Sequence, residues 1–191
     1  TQIIRLGEGE KVSELLTQTD VMPLEHFWIE ASSDGILSRT DGDKPNRLGG
    51  DNAPWNMLRV NSHQTVFLVS TEGKAAAIHS LAIPVQKNGE QGIAAHKLSP
   101  LNEEDVLQGI FCVPMDRGKL PETFVLTISR QGMVKRSALQ ELPGASANSF
   151  VLTKVNDGDE LFQVLLTNGK QDILMTTATG MSIRFNESEI R

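Results

Sequence analysis

Four short stretches of this chain share one order of apolar and polar positions. Each has an apolar run, a turn on a glycine, and a second run drifting into polar or basic residues. They read HFWIEASSDGILSR, QTVFLVSTEGKAAA, FVLTISRQGMVKRSALQEL and DILMTTATGMSIRF, with turns at Gly35, Gly73, Gly132 and Gly180. Apolar, β-branched-rich runs on either side of a glycine turn predict β-hairpins. With the glycines aligned, the third residue before each is a hydroxyl: Ser32, Ser70, Ser129 and Thr177. The sixth before is Ile29, Phe67, Leu126 and Leu174, and the fourth after is Arg39, Ala77, Arg136 and Arg184. The glycines stand 38, 59 and 48 residues apart, an irregular repeat of the size of propeller blades.

A second pattern precedes the hairpins. Residues 3–16, 94–111 and 150–166 each show an apolar strand, an acidic turn and another apolar strand, and residues 55–69 carry a shorter version with Asn61 in the turn. Each repeat is therefore expected to hold two hairpins, or four strands. TFVLTIS and QTVFLVS are apolar on consecutive positions, as strands covered on both faces are. Helical periodicity is poor, and Ser137 to Leu142 allows one helical turn. These features predict an all-β, propeller-like array of four-stranded blades, about four of them. The chain reads as one domain, with 1–25 as an entering segment or first strand pair and repeats at roughly 26–54, 55–92, 93–148 and 149–191. Loops rich in Pro, Gly, Asn and Asp punctuate these repeats.

Composition narrows the chemistry. The 191 residues are 39 % hydrophobic with one cysteine and no tyrosine, so tyrosyl chemistry cannot occur on this chain alone. Cys112 cannot form an internal disulfide and lies in the apolar run GIFCVP, which predicts a buried structural thiol in a reducing cytoplasm. No apolar run approaches the roughly 20 residues of a membrane span. His26, His63, His79 and His96 are scattered without ligand spacing, and Asn156 to Glu160 lacks a calcium-loop pattern. Gly49-Gly50 and Thr179-Gly180 lack the Lys-Ser/Thr of a phosphate-cradling loop. No metal, cofactor or catalytic set is expected.

The net charge of −6 argues against a generic nucleic-acid binder. The acidity is concentrated at the ends, however: the first 34 residues carry seven acidic and two basic side chains, whereas residues 35–100 carry five and seven. Basic residues follow the turns at repeat-equivalent places: Arg39, Lys135, Arg136 and Arg184, with Lys74 beside the turn whose repeat lacks the arginine. If the repeats stack around an axis, these cations trace an arc suited to a phosphate backbone. The alternative reading is that charges at strand ends keep the edges soluble and unpaired.

From about residue 26 onward, and most specifically from 120, the sequence resembles the C-terminal domain of the DNA gyrase A protein. Gly132, Val134, Lys135 and Arg136 match a family G-x-V-K-K/R hairpin, and Gly158 to Leu161 match G-D-E-L. Gly180, Ile183, Arg184, Phe185, Glu187, Ile190 and Arg191 match G-x-x-I-R-F-x-E-x-x-V/I-R. Residues 72–84, EGKAAAIHSLAIP, are similar to G-K-x-Y followed by I-P, with Ala76 where tyrosine is usual. The resemblance implies a β-pinwheel, a propeller-like disc whose blades exchange strands. Its implied role is to bind and bend, or wrap, double-stranded DNA on a basic perimeter. Its implied partners are the gyrase A breakage–reunion domain, which carries the catalytic tyrosine, and the gyrase B protein. The opening TQII resembles the end of that preceding domain, so the chain is expected to be a fragment with fewer blades than a full disc.

The family's wrapping loop, Q-R-R-G-G-K-G, corresponds here to Asn46, Arg47, Leu48, Gly49, Gly50, Asp51 and Asn52. Two cations are lost and an anion gained, which weakens phosphate contact by this loop. A topoisomerase IV-type C-terminal domain is the neighbouring reading. The expected DNA contacts are Arg39, Lys44, Arg47, Lys74, Lys135, Arg136 and Arg184. A protein-docking propeller that regulates the topoisomerase without holding DNA is the rival reading.

Overall fold

In the computed structural model, which describes residues 22–42, 44–45, 53–86 and 92–190, the four glycine turns close four antiparallel hairpins. These are β1 (His26–Ser32) with β2 (Ile36–Asp41), β4 (Gln64–Ser70) with β5 (Lys74–His79), β8 (Phe124–Ser129) with β9 (Val134–Ala138), and β12 (Asp172–Thr176) with β13 (Ser182–Asn186). The turns are built alike. Gly35, Gly73, Gly132 and Gly180 have φ of 77°, 78°, 86° and 85°, the left-handed region that glycine enters without steric cost. Each glycine N–H donates to the carbonyl three residues back at 3.0 Å. The repeated hydroxyl has its reason here. Ser32, Ser129 and Thr177 accept the N–H of the residue after the glycine at 3.1–3.2 Å, closing the turn with a side chain. Ser70 departs from the rule, its hydroxyl buried without a partner.

The remaining strands are shared between sheets. β3 (Pro54–Asn61) flanks β1, β7 (Leu107–Pro114) flanks β4, and β11 (Leu161–Thr167) flanks β8. The short β6 (Ile93–Ala94) and β10 (Phe150–Val151) flank β2 and β5. The sheet orders are thus β3-β1-β2-β6, β7-β4-β5-β10, β11-β8-β9 and β12-β13. After laying down a hairpin the chain steps back to complete the previous sheet, then forward again.

This topology corrects one expectation. Segment 55–69 and the acidic-turn segments 94–111 and 150–166 are not hairpins, because the two strands of each lie in neighbouring sheets. β6 and β10 are two residues long, too short to hold a hairpin with their long successors. Their ends dock on the preceding hairpin tip instead: Ala95 N–H donates to Gly35 O at 3.0 Å, and Leu152 N–H to Gly73 O at 3.0 Å. Segment 3–16 lies outside the described residues.

The consecutive apolar run of β4 has the expected cause. Val66 and Leu68 face the first sheet in a cluster with Phe27, Ile29, Leu37 and Ile78. Phe67 and Val69 face the third sheet with Phe111, Val113, Val125 and Leu139. Phe67 stacks on Phe111 with ring centroids 4.8 Å apart and takes Phe150 edge-on. β4 thus serves two cores, and burying a side chain of this size stabilises by about 2–3 kcal/mol. The fourth sheet differs. Where the others bury Ile29, Phe67 and Leu126, it leaves Leu174 69 % exposed, beside Thr176 and Ser182. Among the described residues, neither buried cluster includes a side chain of this sheet.

Candidate nucleic-acid interface

The arginine four residues after the turn acquires a structural role from strand register. Arg39, Arg136 and Arg184 stand opposite Ile29, Leu126 and Leu174, so they reach diagonally, on the same face, to the residues two positions earlier. Those are Phe27, Phe124 and Asp172. The guanidinium of Arg39 lies 4.8 Å from the Phe27 ring centroid and that of Arg136 4.6 Å from Phe124. Arg184 donates from Nε to Asp172 Oδ2 at 3.1 Å and from Nη2 to the same oxygen. In the second hairpin both ends of the diagonal change, to Thr65 and Ala77. The sequence signal for this strut is the eighth residue before each glycine, taken together with the fourth after.

Their electrostatic states differ. Arg39 is 15 % exposed at its side chain and also faces Asp41 at 3.4 Å. Lys74 is held by Asp105 at 2.9 Å and Glu72 at 3.0 Å; hydrogen bonding to Asp105, then to Glu72, pushes its pKa up. Burial pushes the Asp105 carboxyl up, but the hydrogen bonds from Lys74 and the Asn102 N–H outweigh it and hold the carboxyl below its usual range. Asp172 is held low by Asn186 first and then Arg184. Arg136 and Lys135 have uncharged partners: a ring for the first, and for the second the Leu152 carbonyl, to which Nζ donates at 2.8 Å.

The acidic turns position the hairpin tips. Asn102 to Asp105 and Asn156 to Asp159 close alike, with the aspartate N–H donating to the asparagine carbonyl at 3.1 and 3.0 Å. Asp159 Oδ1 then accepts the N–H groups of Gln131 at 3.0 Å and Glu160 at 2.8 Å. Burial pushes its carboxyl up, but hydrogen bonds from Ser129 and nearby backbone N–H groups hold it low. The same loop borders a cleft of about 290 Å³ against the β8–β9 tip, with Lys135 and Lys154 in its lining.

Lys154 carries no signal when the glycine turns alone are aligned. It and Lys97 are both exposed and occupy the same place, three residues beyond Val151 and Ala94, the last residues of β10 and β6. Aligning AAHKL with VLTKV is what brings them together. Lys44 is exposed in the loop after β2. Arg47 and the rest of the loop 46–52 lie outside the described residues.

Other chemistry is sparse. Burial pushes the Cys112 thiol up to about 12, so it stays protonated at neutral pH. His63 Nε2 contacts the Met22 carbonyl at 2.8 Å, tying the segment before β1 to the β3–β4 turn. Among the described residues no cluster of three or more His, Cys, Asp or Glu side chains is placed to hold a metal, and no helix is long and apolar enough to cross a membrane.

The family model for the DNA gyrase C-terminal domain, beta-propeller, matches residues 64–114, 123–168 and 171–191, more than half of the chain. The DNA gyrase A protein of Streptococcus pneumoniae serotype 4 is 25 % identical over 190 residues, covering 93 % of this chain and 22 % of its own. That of Streptococcus pyogenes serotype M1 is 27 % identical over 195 residues, covering 96 % and 23 %. The chain thus spans less than a quarter of the length of these relatives. Among solved structures, the C-terminal domain of DNA topoisomerase IV superposes with a TM-score of 0.75 at 18 % identity, covering 90 % of this chain and 55 % of that one. The E. coli ParC C-terminal domain gives 0.69 at 16 % identity, covering 86 % and 66 %. Both likenesses are of fold.

Proposed function

Since the chain belongs to the DNA gyrase C-terminal domain family, we propose that it holds double-stranded DNA by its phosphates, bends it, and presents it to the breakage–reunion domain of a larger cytoplasmic topoisomerase that includes the gyrase B protein. With no tyrosine in the sequence, the strand-cleaving nucleophile has to come from elsewhere in that enzyme.

The uneven use of the cations carries this reading. Arg39, Lys74 and Arg184 each face a carboxylate, so little of their charge is left for a ligand. Lys135 and Arg136 keep theirs, because a carbonyl and a ring fix the side chains without neutralising them. Successive residues of a strand face opposite sides. β9 therefore offers a cation on either face, an arrangement that contacts phosphates without reading bases. Lys44 and Arg47 extend the contact in this reading, while Arg39, Lys74 and Arg184 chiefly hold the hairpins in shape.

A mobility-shift assay on a duplex of arbitrary sequence tests it. Binding is expected at about 50 mM salt and should weaken steeply toward about 200 mM. Lys135→Gln and Arg136→Gln should each reduce the slope of log K against log salt by about 0.9, and Arg184→Gln should change it little. Absence of binding at low salt, or a double variant that binds as well as the parent, overturns the proposal. The net charge of −6 and the carboxylate-matched cations favour the second reading, a module that docks on other parts of a topoisomerase. Association with the breakage–reunion domain or the gyrase B protein without DNA binding would select it.

A further inference from the structure

We propose that the cleft between the β8–β9 tip and the segment crossing from β10 to β11 is a seat for one phosphate group, held by Lys154 and Lys135. The inference rests on the DNA-binding reading only for the source of that phosphate. Lys154 is exposed and, among the described residues, makes no ion pair or side-chain hydrogen bond, so its ammonium group is available. Lys135 spends one donor on the Leu152 carbonyl at 2.8 Å. That bond fixes the ammonium group at the cleft and leaves two of its three donors.

The cleft, at about 290 Å³, is roomy enough for a phosphate and its waters. Several polar groups of its floor are already engaged. Thr127 Oγ1 donates to the Lys135 carbonyl, Ser129 Oγ accepts the Met133 N–H, and Asp159 Oδ1 accepts two backbone N–H groups. Asp159 Oδ1 is thus directed at the turn, while Oδ2 is buried without a hydrogen-bond partner; two ammonium groups against this one carboxylate leave the cleft lining net positive.

The pair is particular to this boundary between sheets. At the preceding crossing Lys97 stands where Lys154 does, but the position of Lys135, three after the glycine of the hairpin just laid down, is Ala76, buried in β5. A lone exposed lysine there has no second cation to converge with. A phosphate oxygen bridging two ammonium groups gains charge-assisted hydrogen bonds that one surface lysine cannot supply.

The test is a nitrogen–proton NMR titration of the whole chain with two probes, inorganic phosphate and a short duplex of arbitrary sequence. Shifts of the backbone amides of Lys154, Asn156 and Met133 are expected with both, and Lys154→Gln should abolish those caused by inorganic phosphate. The same variant should lower the salt slope of duplex binding by about 0.9. Because Lys154 is exposed, an unchanged melting temperature should accompany these losses. Shifts with inorganic phosphate alone would support the seat while removing the DNA reading. Duplex binding with no change at the cleft and no effect of Lys154→Gln would overturn the seat and leave the DNA reading standing. No response of the cleft amides to either probe overturns the seat as well.

Discussion

A charged side chain in this protein is defined by what lies diagonally across its strand pair. Arg136 over Phe124 has an uncharged partner, whereas the charge of Arg184 is matched by the Asp172 carboxylate. In the Lys74–Asp105 pair charge is tied to stability, because the Asp105 side chain is only 3 % exposed. Its folded pKa is depressed, so its stabilisation is full above the unfolded value of about 3.9 and is lost as pH falls through the lower folded value. Lys74 is shifted the other way. Its contribution is full below about 10.5 and is lost only as pH rises through the folded value. Thermal melts should therefore find the parent more stable than Asp105→Asn at pH 7, with the gap closing below about pH 4. A gap that stays constant down to pH 2 would mean that the ion pair is not its source.

The hairpin is the unit that repeats, but its turns do not carry equal loads. Gly73 and Gly180 have φ of 78° and 85°, so an alanine at either meets the left-handed penalty of about 1–2 kcal/mol. At Gly180 nothing lies within 4 Å of an added Cβ, whereas at Gly73 it would fall 2.2 Å from the Thr153 carbonyl oxygen. That oxygen belongs to the segment that completes the second sheet, which must move away. Urea denaturation should accordingly show Gly180→Ala losing about 1–2 kcal/mol and Gly73→Ala distinctly more. Equal losses would place the Thr153 segment outside the cooperative structure. The turn and its hydroxyl were legible in the sequence, since both are local. The acidic-turn segments read as hairpins in the sequence because their apolar pattern is the same whether two strands pair with each other or with two different sheets.

At the scale of the molecule the sheets share strands and faces, and stability follows that sharing. β4 is buried on both sides between two clusters, while β12 and β13, among the described residues, pair with each other alone and expose Leu174, Met181 and Ile183. A two-stranded hairpin is marginal by itself. Hydrogen exchange should rank β4 amides slowest, near the global unfolding free energy, and β12–β13 amides among the fastest of the strands. Uniform protection across all four hairpins would mean that the fourth sheet is held as firmly as the second. The same sharing brings Lys135 of one hairpin to Leu152 and Lys154 of the segment that completes the preceding sheet, so the proposed phosphate seat exists only where two sheets meet.

Local chemistry alone determined the all-β class, the four glycine turns with their hydroxyls, the double-faced burial of β4 and the family to which the motifs point. A turn needs its left-handed glycine and a sandwiched strand needs apolar residues on both faces wherever they lie in the fold. Strand exchange, and the partners of Lys74 and Lys135, depended on residues far apart in the chain. Lys74 meets Asp105 across 31 residues and Lys135 meets Leu152 across 17. No spacing rule within one repeat contains those contacts, because they arise only when the chain steps back to complete the sheet before it.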